Sequence, residues 1–447
     1  MMSEKGGHTV YFLGIGGIGM SALARYYRCM GYAVAGYDLT PSPLTRQLES
    51  EGMAVHYEDN ADLLPAHIEF VVYTPAVPKD LKEFEALRQR NVLILKRSEA
   101  LGKISESHFT IAIAGTHGKT TTSAMTAHIL NACGKDTTAF IGGIANNFGS
   151  NLLLGKGAGS LLVAEADEFD RSFLRLHPDI SVINSIDADH LDVYGDKRYL
   201  EATFNEFARL TKQRLIVKES LNIDADGIVR FGFGETCDYR ARFVGTQQPV
   251  SDFTVAHDGT ETAIHLPMPG VHNVLNATAA FAAAMQVGLK PDDIAAALST
   301  FKGVKRRFDI RFNSERHCYI DDYAHHPEEI RACLQAVRDA FPSRKLTLVF
   351  QPHLFSRTRD FMGEFASILA LADRLILLDI YPARERPIEG ITSQALLDKV
   401  PLADKQLCKK DELAALIDSE RPELLVTMGA GDIDRFVEPI EKLIATW

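Results

Sequence analysis

Short apolar runs alternate with helix-spaced apolar positions along most of the chain. Near its start, Val10–Gly14, Ala33–Tyr37, Phe70–Tyr73 and Val92–Leu95 are mainly apolar and of strand length, while Ser21–Met30 and Leu81–Arg90 carry apolar residues every three or four positions. Unbroken apolar strands separated by amphipathic helices predict a parallel sheet covered on both faces. The pattern returns with strands at Ser160–Glu165, Ile180–Ile186 and Gln213–Val217. It returns again at Cys318–Asp321, Lys345–Phe350, Arg374–Asp379 and Leu424–Met428, where helices are expected at Pro327–Ala340, Arg359–Leu369 and Ile433–Thr446. The expected fold class is α/β with three domains, 1–105, 106–305 and 306–447. The two outer domains are expected to be Rossmann-like, and the middle one to hold a phosphate loop on a mainly parallel sheet.

A length of 447 residues fits about three domains of ordinary size. With 46% hydrophobic and 24% charged residues the composition is globular, and the chain contains neither a low-complexity tract nor a short repeat. The net charge of −11 offers no footing on nucleic acid or an anionic membrane, so neither is expected as a partner. Cys29, Cys133, Cys237, Cys318, Cys333 and Cys408 form no CxxC pair; reduced thiols in the cytoplasm are expected. The uncharged stretch Val10–Ala24 imitates a secretory leader, but its four glycines fall where a strand turns into a helix.

Candidate chemistry centres on Ile111-Ala-Ile-Ala-Gly115-Thr116-His117-Gly118-Lys119-Thr120-Thr121-Thr122, an apolar strand, a glycine turn and the start of a helix. Backbone N–H groups of such a turn converge on phosphate oxygens, a lysine reaches the terminal phosphates, and a threonine hydroxyl can meet Mg2+. The stretch reads as an ATP site, although Ile113 stands where the usual loop has its first glycine. Two acidic clusters follow strands, Glu165-Ala-Asp167-Glu168 and Asp187-Ala-Asp189-His190, on the sheet edge expected to carry the loop. A second glycine turn, Gly14-x-Gly16-Gly17-Ile18-Gly19, with Asp38 ending the next strand, predicts another diphosphate site. Taken alone, that turn suits a nicotinamide dehydrogenase. A third gathering, Asp321-Asp322-Tyr-Ala-His325-His326-Pro327 with Gln351-Pro-His353 and Arg357, lies at strand ends of the last domain.

In this order, Gly14–Ser21, Ala114–Thr121, Glu165–Glu168, Asp187–His190, His272-Asn-Val-Leu-Asn276, Arg306-Arg-Phe308, Asp321–Pro327 and Phe350-Gln-Pro-His353 resemble the Mur ligases of bacterial peptidoglycan synthesis. The resemblance spans nearly the whole chain. It implies an N-terminal UDP-sugar domain, a central ATPase and a C-terminal amino-acid domain, and it sets hydride chemistry aside. The implied reaction phosphorylates the carboxylate of UDP-N-acetylmuramate with ATP, and the amine of L-alanine then attacks the acyl phosphate. By correspondence, Thr120, Glu165 and His190 hold Mg2+, and Lys119, Glu165 and His190 are catalytic. His272 and Asn276 lie by the adenine and Asp322 by the ribose. Gly14, Gly16, Gly17, Ile18, Gly19 and Asp38 hold the UDP-sugar, and His326, His353 and Arg357 the amino acid. A cytoplasmic monomer or homodimer is expected. No lysine stands where several sister ligases carry a carbamylated one, as the alanine-adding branch implies. Leu354 replaces an arginine that many members of that branch have after the histidine of the Phe-Gln-Pro-His motif. The alternatives are a ligase that adds a whole tripeptide to the same UDP-sugar, and a nucleotide switch without catalysis.

Overall fold

The computed structural model describes residues 8–157, 159–187, 196–247, 249–383 and 385–447. Its first sheet has five parallel strands, β1 (Thr9–Leu13), β2 (Ala33–Tyr37), β3 (Ala54–His56), β4 (Ile68–Tyr73) and β5 (Leu93–Lys96), in the order β3-β2-β1-β4-β5. The order changes direction between β1 and β4, where α/β sheets open their ligand crevice at the carboxyl ends of the strands. Helix α1 (Ile18–Cys29) follows β1 and buries Met20, Leu23, Ala24 and Tyr27 at helical spacing. The Tyr27 ring packs edge-on to Phe70 at 5.1 Å. Beyond Met30, Gly31 at φ +88° ends the helix, since a left-handed residue cannot continue it. Helices α2 (Pro43–Ser50) and α3 (Lys82–Gln89) complete the cover, and α4 (Arg97–Glu106) leads into the second sheet.

That sheet contains β6 (Phe109–Ala114), β7 (Thr137–Ala145), β8 (Ser150–Leu153), β9 (Leu161–Ala166), β10 (Ile180–Ile183), β11 (Arg214–Lys218), β12 (Val229–Gly232), β13 (Tyr239–Gln247), β14 (Val250–His257) and β15 (Thr260–Leu266). The order is β15-β14-β13-β12-β11-β10-β6-β9-β7-β8. Strand β6 is buried from Thr110 to Ala114 and runs parallel to both neighbours, which places the turn after it between the ends of β9 and β10. The third sheet has β16 (Asp309–Asn313), β17 (Cys318–Asp322), β18 (Leu346–Phe350), β19 (Arg374–Leu377), β20 (Lys405–Leu407) and β21 (Leu424–Met428), in the order β16-β17-β21-β18-β19-β20. Only β16 is antiparallel to its neighbour there.

The strands and helices expected from the pattern form, with differences of extent at several ends. The run Ile180–Ile186 ends as a strand at Ile183, because Asn184 and Ser185 turn to brace the phosphate loop. The helix expected over Arg359–Leu369 is two helices, Phe355–Asp360 and Met362–Leu369, broken at Phe361 (φ −112°, ψ 19°). The segment Ile433–Thr446 starts as a 3-10 turn, and its α-helix is Val437–Ile444. Strands β3, β7, β8, β12 to β16 and β20 were not anticipated.

The chain divides into two compact units, one of residues 1–241, 255–262 and 275–298, the other of 242–254, 263–274 and 299–447. The first unit holds both glycine turns, and within it the first sheet and β8 of the second are tied together by a buried side chain. Asn151 on β8 donates to Ser21 Oγ of α1 (3.2 Å) and accepts from Arg25 of the same helix (2.9 Å). The second unit holds the third sheet.

Candidate active site

Beyond β6 the chain turns through Gly115 (φ +139°) and Gly118 (φ +81°), and helix α5 (Lys119–Ala132) begins. Both positions require glycine. A Cβ on Gly115 would lie 2.9 Å from the Ser185 nitrogen, and one on Gly118 would strike the side-chain amide of Asn276. The first turn of α5 contains no acidic residue, and Gly118 provides no side-chain cap, which leaves the helix N-terminus suited to a phosphate. The turn is held from the end of β10. Ser185 accepts from the His117 N–H at Oγ (2.8 Å) and from the Thr116 N–H at its carbonyl (3.1 Å), and the Asp187 N–H donates to Thr116 Oγ1 (3.0 Å). Deeper in, Asn184 donates to Thr122 Oγ1 (2.8 Å), which donates to Asn276 Oδ1 (3.3 Å).

Lys119 folds back over its own loop. Its Nζ donates to the Gly115 carbonyl (2.6 Å) and pairs with Glu168 at 2.8 Å, a carboxylate whose side chain is fully buried. Burial works against the charge on Lys119, yet Glu168, Asp167 and Glu165 together hold its pKa above the ordinary lysine value. Beside it the Thr120 hydroxyl donates to Glu165 Oε1 (3.1 Å), and Glu165 Oε2 accepts from the Gly142 N–H (2.8 Å). A hydroxyl and a carboxylate side by side are hard oxygen donors of the kind Mg2+ takes. Thr121 is buried behind them in α5. His190, the third expected metal ligand, lies outside the described residues.

The first glycine turn is built on the same plan. Gly14 (φ +82°) donates to the Tyr37 carbonyl (2.8 Å), and Gly17 is extended and begins α1 with neither a side-chain cap nor an acid in the first turn. Ile18 is partly exposed at the first position of that helix. Asp38, expected among the residues that hold the UDP-sugar, accepts from the Gly16 N–H at 2.7 Å and so also fixes the turn. The Arg97 guanidinium packs against Gly19 and donates to Asp167 (3.1 Å), next to the residue that holds Lys119.

In the second unit, Asp322 at the end of β17 accepts from the N–H groups of Phe308 (2.6 Å) and Ala324 (2.7 Å). Burial raises its pKa to about 6, against the pull of Arg307 and those two donors. On the helix Val271–Gln286, burial lowers the His272 pKa to about 4, which leaves its imidazole neutral near pH 7; Asn276, four residues on, belongs to the first unit. Past β18, the Pro352 carbonyl accepts from the Tyr381 N–H (2.8 Å) and the Tyr381 carbonyl accepts from the Leu354 N–H (2.9 Å). The His353 ring stacks on Tyr381, with centroids 5.7 Å apart, and its Nδ1 lies 3.3 Å from Arg357 Nη1. Since guanidinium can only donate, Nδ1 is the acceptor there and the ring proton sits on Nε2. Burial, His325 and Arg357 push the His353 pKa down to about 4. The expected His326 is buried with its ring 4.9 Å from Phe361, whereas His325 faces His353 at 5.7 Å.

Comparison with known proteins gives three matches in chain order: "Mur ligase family, catalytic domain" over residues 9–109, "Mur ligase middle domain" over 113–284, and "Mur ligase, glutamate ligase domain" over 306–431. A UDP-N-acetylmuramate–L-alanine ligase of Cytophaga hutchinsonii is 49% identical over 98% of this chain and 97% of its own. One of Christiangramia forsetii is 47% identical over 97% of each. The chain belongs to the Mur ligase family. Among solved structures, the UDP-N-acetylmuramate–alanine ligase of Thermotoga maritima superposes with a TM-score of 0.84 at 29% identity, over 98% of this chain and 99% of that one. The murein peptide ligase of Psychrobacter arcticus shares the fold, with a TM-score of 0.74 at 24% identity over 99% of both chains.

As a Mur ligase the chain brings Lys119, Thr120 and Glu165 together in the first unit, and His353 and Arg357 together in the second. Glu168 and His325 stand in the expected clusters but were given no role, and Ser185 was not singled out at all. Glu168 stands in the same acidic cluster as Glu165, so a signal was present, but nothing local says which carboxylate takes the lysine.

The raised pKa of Asp322 makes a pH prediction. Between its unfolded value near 4 and its folded value of about 6, the native state binds the extra proton, so this group's contribution to stability is lost as pH rises through 6. Asp322→Asn removes the titration. The stability of wild type relative to this variant should fall between pH 4 and pH 6 by about 3 kcal/mol and stay level above, as read by urea unfolding at a series of pH values. A difference independent of pH would show that the carboxyl titrates normally.

Proposed function

We propose that the chain is an ATP-dependent ligase joining L-alanine to the carboxylate of UDP-N-acetylmuramate, a step of peptidoglycan precursor synthesis. The observation that carries this is the pair of uncapped glycine turns in one unit, the second completed by Lys119, Thr120 and Glu165, in a chain that aligns end to end with alanine ligases. One turn suits the diphosphate of a nucleotide sugar and the other the phosphates of ATP. The family correspondence supports domain limits of 1–105, 106–305 and 306–447, adenine by His272 and Asn276, and ribose by Asp322. ATP and a nucleotide sugar as substrates support a cytoplasmic location, and no helix among the described residues is long and apolar enough to cross a membrane.

A carboxylate attacking a triphosphate brings anions together, so the protein's task is positioning and charge neutralisation, with no side-chain nucleophile. Lys119 leaves Glu168 to meet the γ-phosphoryl group, and the α5 N–H groups hold the phosphate chain. Thr120 and Glu165 fit Mg2+ by donor type, with His190 completing the set by correspondence. Mg2+ bound there neutralises the phosphate charge during transfer. Arg357 receives the alanine carboxylate, and His353, neutral with its proton on Nε2, donates a hydrogen bond.

Phosphate release with ATP, UDP-N-acetylmuramate and single amino acids tests the assignment. L-alanine should be the preferred amine, and faster turnover with the L-Ala-γ-D-Glu-diaminopimelate tripeptide would sink it. Arg357→Ala should raise the KM for alanine about 10- to 100-fold, the weight of a charge-assisted pair, and leave the KM for ATP nearly unchanged. An alanine KM within twofold of wild type would remove Arg357 from the site.

A further inference from the structure

The arginine proposed to receive the alanine carboxylate sits on a very short helix, Phe355–Asp360, entered through strained backbone. Leu354 precedes that helix with φ +72° and ψ 136°, a conformation uncommon for any side chain other than glycine. No side chain of its own caps the helix. A helix of six residues with a strained entry does not hold its orientation unaided. Something outside it must fix the direction in which Arg357 points.

The segment after β19 supplies that support. Two backbone hydrogen bonds, Tyr381 N–H to the Pro352 carbonyl and Leu354 N–H to the Tyr381 carbonyl, join it to the segment carrying His353 and Leu354. Four residues on, the Glu385 carboxylate takes both donors of Ser356: the N–H at 3.0 Å and the hydroxyl through a short hydrogen bond. Glu385 is itself turned inward by its N–H bond to the Pro382 carbonyl (2.8 Å), just after Ala383 at φ +48°. Burial opposes its charge, but the Ser356 donors hold its carboxyl below the usual range, so Glu385 is an anion that accepts from both. A carboxylate so close to a site meant for another carboxylate would repel the substrate if it swung free. Clamped on Ser356, it faces a helix N-terminus, where a negative charge is favourable.

We infer that Glu385 is a positioning residue for the amino acid: through Ser356 it sets the helix that aims Arg357 at the alanine carboxylate. This rests on the reading of Arg357 given above.

The experiment compares wild type, Glu385→Gln, Glu385→Asp, Arg357→Ala and the double variant Glu385→Gln/Arg357→Ala, each as the full-length chain. Steady-state KM for L-alanine, ATP and UDP-N-acetylmuramate is measured for each, together with kcat and the thermal midpoint. Glu385→Gln should raise the KM for alanine about tenfold, as expected for one charge-assisted contact. Its kcat at saturating alanine and both other KM values should stay within twofold. Glu385→Asp keeps the charge on a shorter stem and should fall between the two. The double variant should have an alanine KM no higher than that of Arg357→Ala, because both changes remove the same contact. An unchanged alanine KM in Glu385→Gln overturns the proposal, as does a multiplicative effect in the double variant. If Arg357→Ala itself leaves the alanine KM unchanged, the assignment of Arg357 falls first, and the proposal with it. A merely structural role would lower the thermal midpoint or raise all three KM values together, and that result also overturns it.

Discussion

Lys119→Ala should reduce ligase turnover about a thousandfold or more, because the charge on the γ-phosphoryl group goes uncompensated at the step where it moves. The ion pair that Lys119 makes within the protein complicates this test. Lys119 pairs at 2.8 Å with a fully buried Glu168, and removing one partner of such a pair typically costs about 3–5 kcal/mol. The double variant Lys119→Met/Glu168→Gln removes both charges and leaves no carboxylate buried alone. It should bind UDP-N-acetylmuramate as wild type does, by calorimetry, and still turn over at the background rate. Retention of more than a tenth of the wild-type rate by either variant would rule out the role assigned to Lys119.

Glu165→Gln should lower activity by about two to three orders of magnitude and raise the Mg2+ concentration needed for half-maximal rate. Glutamine keeps the size of the side chain but brings an N–H2 group to a place where both oxygens are acceptors, one from Thr120 (3.1 Å) and one from Gly142 (2.8 Å). The glycine turn around Gly14 does not use this carboxylate, so calorimetric affinity for the UDP-sugar should be unchanged. If that affinity is lost too, the two nucleotide sites are not separate as drawn. A rate within tenfold of wild type at low Mg2+ would show that Glu165 does not hold the metal.

The parts of the site that were legible in the chain are those whose geometry is set locally. Strand β6 is a continuous apolar run, and Gly115 and Gly118 stand where backbone angles closed to other residues are needed, so strand, turn and helix could be read from a dozen residues. What crosses between segments was not legible. Glu168 and Glu165 are three residues apart in one acidic cluster, and which of them takes Lys119 depends on the turn through Asp170 and Arg171, both at positive φ. His325 and His326 are adjacent, and irregular backbone after β17 decides which ring faces His353. Asp38 closes onto the Gly16 N–H across 22 residues of chain, a contact that the glycine spacing alone does not announce. Strands β14 and β15 were missed although their burial alternates residue by residue and the Asp258-Gly259 turn between them is left-handed at both positions. The signal was present, but the apolar-run pattern that served elsewhere does not detect it.

The folded-back Lys119 bears on how the enzyme would be inhibited. On the proposed reading, ATP that draws Lys119 away from Glu168 and the Gly115 carbonyl binds net of the loss of those contacts. A compound that fills the adenine end alone has no phosphate to offer and leaves the pairing intact. It avoids that loss, and its affinity depends on the shape of the base pocket alone. Uncharged heterocycles therefore avoid a loss that phosphate mimics incur whenever they pull Lys119 away from Glu168.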